Sequence, residues 1–494
     1  MTSRSTLYIK NTLEPTFNFT KFHFYKYIMQ INLAHVLMLK DQAILPQEQA
    51  SKILEATNEL YKEGYTKNYN TTFEDLFFMI EDDLTKLIGA ELVGNMHIAF
   101  SRNDMDTTMF RMFWREKILE WLEKINNLRK TILTLVEEHS DTIMTAHTHN
   151  QQAQPTTLGH YLLAVENNLL RDIERGTELF KRINRSPMGA AALSTSGFPI
   201  DRHNISNRLG FQSPMNNSYD AISSSDFMME INSVLSISLS TLSRFVYDLI
   251  FMTTNEVNTL RLHDKHVQTS SIMPNKRNPS ALEHTRASIS KAIGDLQGTI
   301  LLAHNVPLGD IVDIGDDIQP PLFSGFQHTH DVLSILNEIL TYATFDKVRL
   351  YYQTQTGFAT VTELADVLVR NHHVPFRQAH GIVSSFVKKL VAEGAGISAG
   401  SADRINRIAK NEFHILLNMT EEDFTKAVCP KNFIRVRSVF GGPAQGEILL
   451  QAELSSEHMK KTTEWINETI NKIKLCEKEL DENVASSINN INEN

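Results

Sequence analysis

Cysteine is scarce in this 494-residue chain, which contains only Cys429 and Cys476. Two cysteines cannot build a disulfide framework or a four-cysteine zinc site, so we expect a reducing, cytoplasmic setting. Positive charge is also in the minority, because 48 lysines and arginines stand against 58 aspartates and glutamates, a net charge of −10. This balance argues against broad binding to nucleic acid or to an anionic membrane, and leaves room for a local basic pocket that holds a small anion.

Long apolar runs are missing as well. No uninterrupted apolar stretch reaches about 18 residues, so no membrane-spanning helix is expected. The opening sequence, MTSRSTLYIKNTLEPTF, lacks the apolar segment and the small-residue cleavage site of a secretory signal. The composition, with 41% apolar and 21% charged residues, is that of a globular protein rather than a disordered one.

Glycine and proline are absent from two long stretches, residues 107–140 and 221–254. In the second stretch Phe227, Ile231 and Leu235 recur at helical spacing. A helix over either stretch would be about 50 Å long. Because period-two alternation is scarce, the sequence predicts an all-α fold built on a bundle of long helices. Three further segments also read as helices: 156–184, 280–304 and 325–347.

The predicted bundle occupies residues 107–360, between an N-terminal helical domain of residues 1–106 and a C-terminal helical domain of residues 361–494. The C-terminal domain ends in ASSINNINEN, which reads as a solvated, disordered tail. Long Gly/Pro/Ser/Asn-rich loops interrupt the bundle, and such loops are uncommon unless they are functional or disordered. They are residues 185–220, 264–280 and 305–321.

The most informative of these loops contains SSIMPNKRNP, residues 270–279. It offers hydroxyl groups, an amide and the ammonium of Lys276 just before a helix predicted to start near residue 280. Hydroxyl and backbone N–H groups near a helix N-terminus favour anions, and the lysine adds a full positive charge. From composition alone, a turn with a helix N-cap explains the segment equally well.

The segment resembles SSxMPxKxNP, the signature loop of the fumarase/aspartase superfamily. Further motifs narrow the resemblance to argininosuccinate lyase: HTHNQQAQPTTLGHY at residues 147–161 is similar to that family's YTHLQRAQPxTLGHY, and SRND at residues 101–104 matches its SRND. RSPMG, GFPID and NSYDA resemble its central loop, and VPFRQAH and FGG extend the match into the C-terminal region. The resemblance covers roughly residues 20–450 and implies a long-helix bundle of the fumarase/aspartase type.

The family's reaction is the elimination of an amine from an N-substituted aspartate, which breaks a C–N bond and releases fumarate. Such chemistry needs a base, donors that stabilise a doubly charged aci-carboxylate, and an acid for the departing nitrogen. The resemblance assigns the base to Ser270, and proton transfer or substrate orientation to His149, which pairs with Glu283. A serine hydroxyl is a weak base, so its ionisation would need nearby amides and cations in a closed, dry site.

The resemblance also assigns residues that bind the dicarboxylate half of a small-molecule substrate. They are Arg102, Asn103, Thr148, Lys276 and Asn278. The resemblance also implies the family's homotetramer, with each active site built from loops of three chains, and the wide separation of the matched motifs in sequence fits this. No metal or organic cofactor is implied, and no nucleic-acid or membrane partner is expected.

Each residue also has a simpler explanation. His147 and His149 are an H-x-H pair of the kind found in zinc sites, although no further ligands accompany them. The SRND segment is able to act as a helix cap, and Glu283 as a first-turn partner of the helix dipole. Taken together at family spacing, these residues favour an active site.

The sequence departs from the family where argininosuccinate lyase holds the arginine half of its substrate. The family's PLAYNxDxQEDKE aligns with PLGDIVDIGDDIQ, so that its tyrosine, glutamine and lysine become Asp310, Gly315 and Ile318. Nearer the N-terminus, Asn32 and Phe77 replace a family serine and histidine. The lost lysine removes a cation for the amino acid's carboxylate, and Asp310 would repel that carboxylate or attract a cationic amine.

The sequence therefore predicts a carbon–nitrogen lyase that keeps the fumarate side of its site and changes the amine side. The first hypothesis is that the amine is not arginine. The alternative is argininosuccinate lyase itself, with a rebuilt arginine pocket. A catalytically silent structural or binding homologue is a third reading, against which the retention of Ser270, Lys276, Asn278, His149 and Glu283 argues.

Overall fold

The computed structural model describes residues 4–489 and begins with a helical N-terminal region. Its helices are α1 (Thr6–Tyr8), α2 (Glu14–His23), α3 (Tyr25–Asp41), α4 (Gln47–Glu63), α5 (Leu76–Ile88) and α6 (Ala90–Met96), with a π-helical turn at Ile9–Leu13. Helix α3 is buried along almost its whole length, because α4 and α7, the first helix of the central bundle, pack against it.

The central bundle consists of five long helices joined by loops with short elements. In chain order the helices are α7 (Arg102–Glu138), α8 (Leu158–Ile183), the short α9 (Arg202–Arg208) and α10 (Ser218–Ser223), α11 (Asp226–Thr253), α12 (Ser280–Ala303) and α13 (Gln319–Tyr342). Helix α7 contains no glycine or proline, and its buried face includes two tryptophans, Trp114 and Trp121. A helix of 37 residues is about 55 Å long.

The C-terminal part is built from shorter helices and one very long one. They are α14 (Lys347–Thr356), α15 (Val361–His372), α16 (Phe376–Ala392), α17 (Ala402–Phe413), α18 (Glu421–Ala427), α19 (Pro430–Arg435) and α20 (Gln445–Asn489), with a 3₁₀ turn at Ile397–Ala399; another 3₁₀ turn, Asp264–His266, lies in the bundle between α11 and α12. A separate hydrophobic core joins α15 to α18, whereas α20 returns to the main core and packs against α4, α7 and α8.

The strands of the described residues are short and form four two-stranded pairs. Strands β1 (Ile143–Thr148) and β2 (Gln151–Thr157) form an antiparallel hairpin; β3 (Arg185–Ser186) runs parallel to β4 (Ser213–Pro214); β5 (Leu260–Arg261) and β6 (Gln268–Thr269) pair antiparallel with β8 (Thr344–Phe345) and β7 (Arg277–Asn278) respectively. The prediction of an all-α long-helix bundle is confirmed, with these short strand pairs confined to the connections between helices.

Hydrogen bonds between helices show how the bundle is oriented. Trp114 Nε1 donates to Gln319 Oε1 at 2.8 Å near the starts of α7 and α13, and Thr131 Oγ1 donates to Asn337 Oδ1 at 2.7 Å farther along, so these helices run parallel. The carbonyl of Ile183, at the end of α8, accepts from the first third of α7, so α8 is antiparallel to it. We call the end with the start of α7 the first end, and the end with its last turn the second end.

A buried ion pair fixes α20 to the bundle. Arg129 Nε on α7 lies 2.8 Å from Glu166 Oε1 on α8, and both side chains are fully buried. Arg129 also donates to Ser455 Oγ on α20 at 3.3 Å. Removing one partner of such a pair leaves an uncompensated buried charge, which costs roughly 3–5 kcal/mol.

Helix α20 extends farther than the sequence suggests. The expected tail, residues 485–494, starts inside this helix, because Val484 and Ser487 are buried and Ser51 Oγ on α4 donates to the carbonyl of Ser487 at 2.6 Å. Contacts with α4 therefore hold this small polar segment in the helix, although its composition is typical of a solvated tail. Residues 490–494 of the expected tail lie outside the described residues. The domain boundaries at residues 106/107 and 360/361 stay predictions.

Helix α11 is long and apolar enough by composition to cross a membrane, although 44% of its most apolar window is already buried in the bundle. It lies between α8 and α12 and buries Asn232 and Ser238. These are the features of a core helix. Its outer face leaves Ile237 and Tyr247 exposed.

Candidate active site

The signature loop lies between β6 and β7, just before α12, at the second end of the bundle. The N–H groups of Ile272 and Met273 donate to Ser270 Oγ at 3.2 and 3.0 Å, and Lys276 N–H closes the turn on the Met273 carbonyl at 3.1 Å. Two backbone donors on a hydroxyl oxygen favour its ionised form. The loop therefore supplies the amides that a serine base requires.

The remaining signature residues surround this turn. Asn278 lies in β7, opposite Gln268, and Glu283 lies in the exposed first turn of α12. Arg277 anchors the base of the signature loop, because its guanidinium donates to the Leu262 carbonyl at 2.8 Å and pairs with Asp264. Lys276 is exposed and faces solvent in the single chain.

Thr148 and His149 lie at the tip of the β1–β2 hairpin, also at the second end. His149 and Asn150 form a two-residue turn, with φ of 53° and 59°. Two consecutive left-handed residues are typical of a type I′ turn, which suits asparagine better than histidine. The backbone thus holds an exposed histidine in a sparsely populated conformation, which is often a feature of functional sites.

Arg102 and Asn103 lie at the opposite, first end, in the first turn of α7. Ser101 and Asp104 form the capping box of this helix, so capping does not require the side chains of the two residues between them. Arg102 pairs with Asp75 and lies 3.7 Å from Glu74. The amide of Asn103 donates to the carbonyl of Ala192 at 3.4 Å.

Several carboxylates surround Arg102. Burial raises the pKa of Asp316 to about 6, and the charges of Asp75, Asp317 and Asp310 add to the shift, whereas Arg102 opposes it. Burial likewise raises the pKa of Asp310. The pKa of Asp106 lies well above its ordinary value, mainly because of burial and next because of the negative charge of Asp316. The first end is thus an acidic environment around Arg102.

Sequence reasoning missed Asp106 and Asp316 as members of this environment. The signal for Asp106 was its position four residues after Arg102, which places both on one helix face. Asp316 gave no such signal, because its approach to α7 depends on how the loop of residues 305–318 folds back.

One chain does not bring the predicted residues together. Arg102 and Asn103 are separated from the second end by the whole of α7, about 55 Å. At the second end, within residues 4–489, no hydrogen bond or ion pair joins the hairpin tip to the signature loop, and the predicted pair of His149 and Glu283 is not formed within the chain. Within one chain, the predicted residues therefore form two separate groups, one at each end of the bundle.

The zinc explanation for the hairpin histidines has no support in the part of the chain that the structure describes. No group of three or more His, Cys, Asp or Glu side chains there is arranged to hold a metal ion. The ring of His147 instead meets Phe251 edge-on, with 5.9 Å between ring centres.

Comparisons with known proteins agree with this geometry. A lyase family model matches residues 14–294, and an argininosuccinate lyase C-terminal model matches residues 358–435. The argininosuccinate lyase of Methanocorpusculum labreanum is 38% identical over 84% of this chain and 83% of its own length. The chain belongs to the argininosuccinate lyase family. Argininosuccinate lyase 2 of Agrobacterium fabrum is 36% identical, over 89% of this chain and 87% of its own.

Solved structures of this superfamily also match. EDDS lyase in complex with formate is 27% identical, with a TM-score of 0.88 over 99% of this chain and 97% of its own. An EDDS lyase variant with bound fumarate is 28% identical, with a TM-score of 0.88 over 95% and 92%. The fumarase/aspartase fold is confirmed, and the chain is a carbon–nitrogen lyase that releases fumarate.

Proposed function

We propose that the chain eliminates a non-arginine amine from an N-substituted aspartate. The observation that carries this proposal is the contrast between a retained fumarate side and a rewritten amine side. Ser270, with two N–H groups on its Oγ, is the base that takes the proton next to the carboxylate. His149, paired with Glu283 of another copy, assists proton transfer or orients the substrate.

Cations and amides bind the two carboxylates of the fumarate half. Lys276 and Asn278 come from the signature loop, Thr148 from the hairpin, and Arg102 and Asn103 from α7. Charge-assisted bonds to carboxylates are stronger than neutral ones and strengthen further as charge develops on the aci-carboxylate.

The amine side has lost the groups that would hold an amino acid's carboxylate. Ile318 occupies the family's lysine position and is fully buried in the main core. Gly315 offers only its carbonyl, which accepts from Gln319 Nε2 at 3.1 Å. Asp310 and Asp316 instead make this side acidic, which favours a cationic amine without a carboxylate at that place.

We further propose that the chain works as a cytoplasmic homotetramer in amino-acid metabolism, with sites shared by three copies. The separation of Arg102 from Ser270 along the bundle supports this assembly. So do large apolar side chains left exposed on three bundle helices in the single chain, which assembly would cover. They are Ile237 and Tyr247 on α11, Leu301 on α12 and Tyr342 on α13.

Argininosuccinate lyase activity itself is the second candidate. It is favoured by the curated relatives, which carry that name at 33–38% identity over most of their length. In that case other residues, from loops or from neighbouring copies, would replace the lost lysine and tyrosine.

A steady-state assay with argininosuccinate, followed by the ultraviolet absorbance of fumarate, separates the two candidates. Each lost charge-assisted hydrogen bond costs roughly 1.5–3 kcal/mol, so two or three lost bonds should lower kcat/KM by several orders of magnitude. A kcat/KM of about 10⁴ M⁻¹s⁻¹ or more would refute the non-arginine proposal. Incubation with fumarate and a panel of amines, including arginine, then identifies the amine by the mass of its adduct.

A further inference from the structure

Asp104 links two parts of the first end that are far apart in sequence. Its carboxylate is fully buried, and its Oδ1 accepts the N–H of Ser101 at 3.0 Å. Its Oδ2 accepts the N–H of Gly189 at 2.9 Å and that of Ala191 at 3.0 Å. One side chain therefore joins the start of α7 to the loop that follows β3.

The same loop is held from its other side by Arg202. The guanidinium Nε donates to the Met188 carbonyl at 3.1 Å, and Nη2 donates to the Pro187 carbonyl at 3.3 Å. Gly189 has a φ of +84°, and a Cβ there would come within 2.6 Å of Arg202 Cγ. The stem at residues 187–191 is thus fixed by two charged side chains and by a conformation that requires glycine.

This stem determines where the amide of Asn103 points. The next residue, Ala192, supplies the carbonyl that accepts from Asn103 Nδ2 at 3.4 Å. We infer that Asp104 is a positioning residue of the fumarate side, because it fixes the first turn of α7, which carries Arg102 and Asn103, relative to the stem that Asn103 contacts. This inference rests on the proposed function, in which those two residues hold the fumarate half of the substrate.

The three bonds explain why this position needs a carboxylate rather than any capping residue. All three neighbours are N–H donors, and an ionised carboxylate accepts on both oxygens and donates nothing. An asparagine of the same size would turn its NH₂ group either toward Ser101 or toward Gly189 and Ala191. It would keep the cap or the stem, but not both.

The test measures fumarate binding by calorimetry in the wild type, in Asp104→Asn and in Arg202→Gln, which releases the stem from its other side. The matched control is Asp172→Asn, a buried aspartate on α8 that pairs with Arg175 Nη1 at 2.9 Å and lies away from the first end. We expect fumarate affinity to fall at least about 10-fold in Asp104→Asn and several-fold in Arg202→Gln, and to stay unchanged in the control. In a steady-state assay with a substrate that the enzyme converts, KM should rise while kcat changes little. This is the result expected when a mutation weakens binding of the substrate and of the transition state equally.

Equal fumarate affinity in folded Asp104→Asn and the wild type would overturn the inference. If that variant does not fold, Arg202→Gln decides, and unchanged affinity there has the same consequence. A wild type that binds fumarate separates these outcomes from failure of the proposed function. A wild type that does not bind fumarate refutes the fumarate pocket itself, and the inference with it.

Discussion

Two inactive variants, Arg102→Met and Ser270→Ala, should regain activity when they are assembled together. Arg102 lies at the first end of the bundle and Ser270 at the second, with the 37 residues of α7, about 55 Å, between these ends. A small dicarboxylate cannot reach both in one chain. If the two residues act in one site, they must come from different copies.

The expected recovery follows from random assembly. In an equal mixture, half of the sites receive their arginine from a chain with an intact Arg102, and half receive their serine from a chain with an intact Ser270. Since the two chains are chosen independently, about one quarter of the sites are intact, and activity should approach about 25% of the wild type. Ser270→Ala alone should retain about 1% or less, because loss of a general base typically costs 10²–10⁴-fold, and Arg102→Met alone should lose activity because it removes a cation that binds a substrate carboxylate.

The assay dissociates and reassembles the mixed variants and follows fumarate by its ultraviolet absorbance, with the amine that the adduct panel identifies. The control mixture combines Ser270→Ala with Lys276→Met, two changes in the same loop of one chain. No site in that mixture has an intact signature loop, so activity should stay at the level of the separate variants. Failure of the first mixture to recover, or equal recovery in the control, would refute a site shared between copies.

Two further predictions concern single residues. Ser270→Ala should lower turnover by about 10²–10⁴-fold without changing the melting temperature, because the residue lies in a surface loop and supports no core; near wild-type turnover would contradict its role as the base. Burial raises the pKa of Asp172 from 3.8 to about 6, so this carboxyl group holds its proton more tightly in the native state than in the unfolded state. At a pH above 6, ionised Asp172 therefore destabilises the fold by about 3 kcal/mol. In denaturant unfolding at pH 8, Asp172→Asn should therefore have a larger free energy of unfolding than the wild type, and at pH 5 this difference should be about half as large. A difference that does not change with pH would contradict the raised pKa of Asp172.

The long helices could be predicted from the sequence because nothing in them interrupts the pattern. The stretches at residues 107–140 and 221–254 became Arg102–Glu138 and Asp226–Thr253. The segment expected at 325–347 begins earlier, at Gln319, because prolines are tolerated in the first turn of a helix, where their missing N–H has no partner to lose. The hairpin of β1 and β2 was not predicted, since its turn is His-Asn rather than Asn-Gly or Asp-Gly.

Motifs and the family resemblance indicated the chemistry of the site and a site shared between chains, but not where each motif lies in the bundle. SRND, the Thr-His pair and the signature loop could be assigned in sequence, yet nothing in them says that they lie at opposite ends of one bundle. The hydrogen bond from the N–H of Gly189 to Asp104 joins residues 85 positions apart. The carboxylates near Arg102 come from separate helices and a loop. Such contacts depend on tertiary packing, which local patterns do not encode.

The division of the bundle into two ends offers a physical reason for the changes on the amine side. The segment with Asp310, Gly315 and Ile318 packs at the first end, where Gln319 is held by Trp114 and the Leu308 carbonyl accepts from Tyr219. The predicted site residues Ser270, Lys276 and His149 lie at the second end, on elements remote from this segment in the chain. Substitutions there can therefore alter which amine is accepted while the geometry around Ser270 stays intact. Arg102 and Asn103 also lie at the first end, so substitutions in this segment leave the Ser270 loop unchanged but remain coupled to part of the proposed fumarate side.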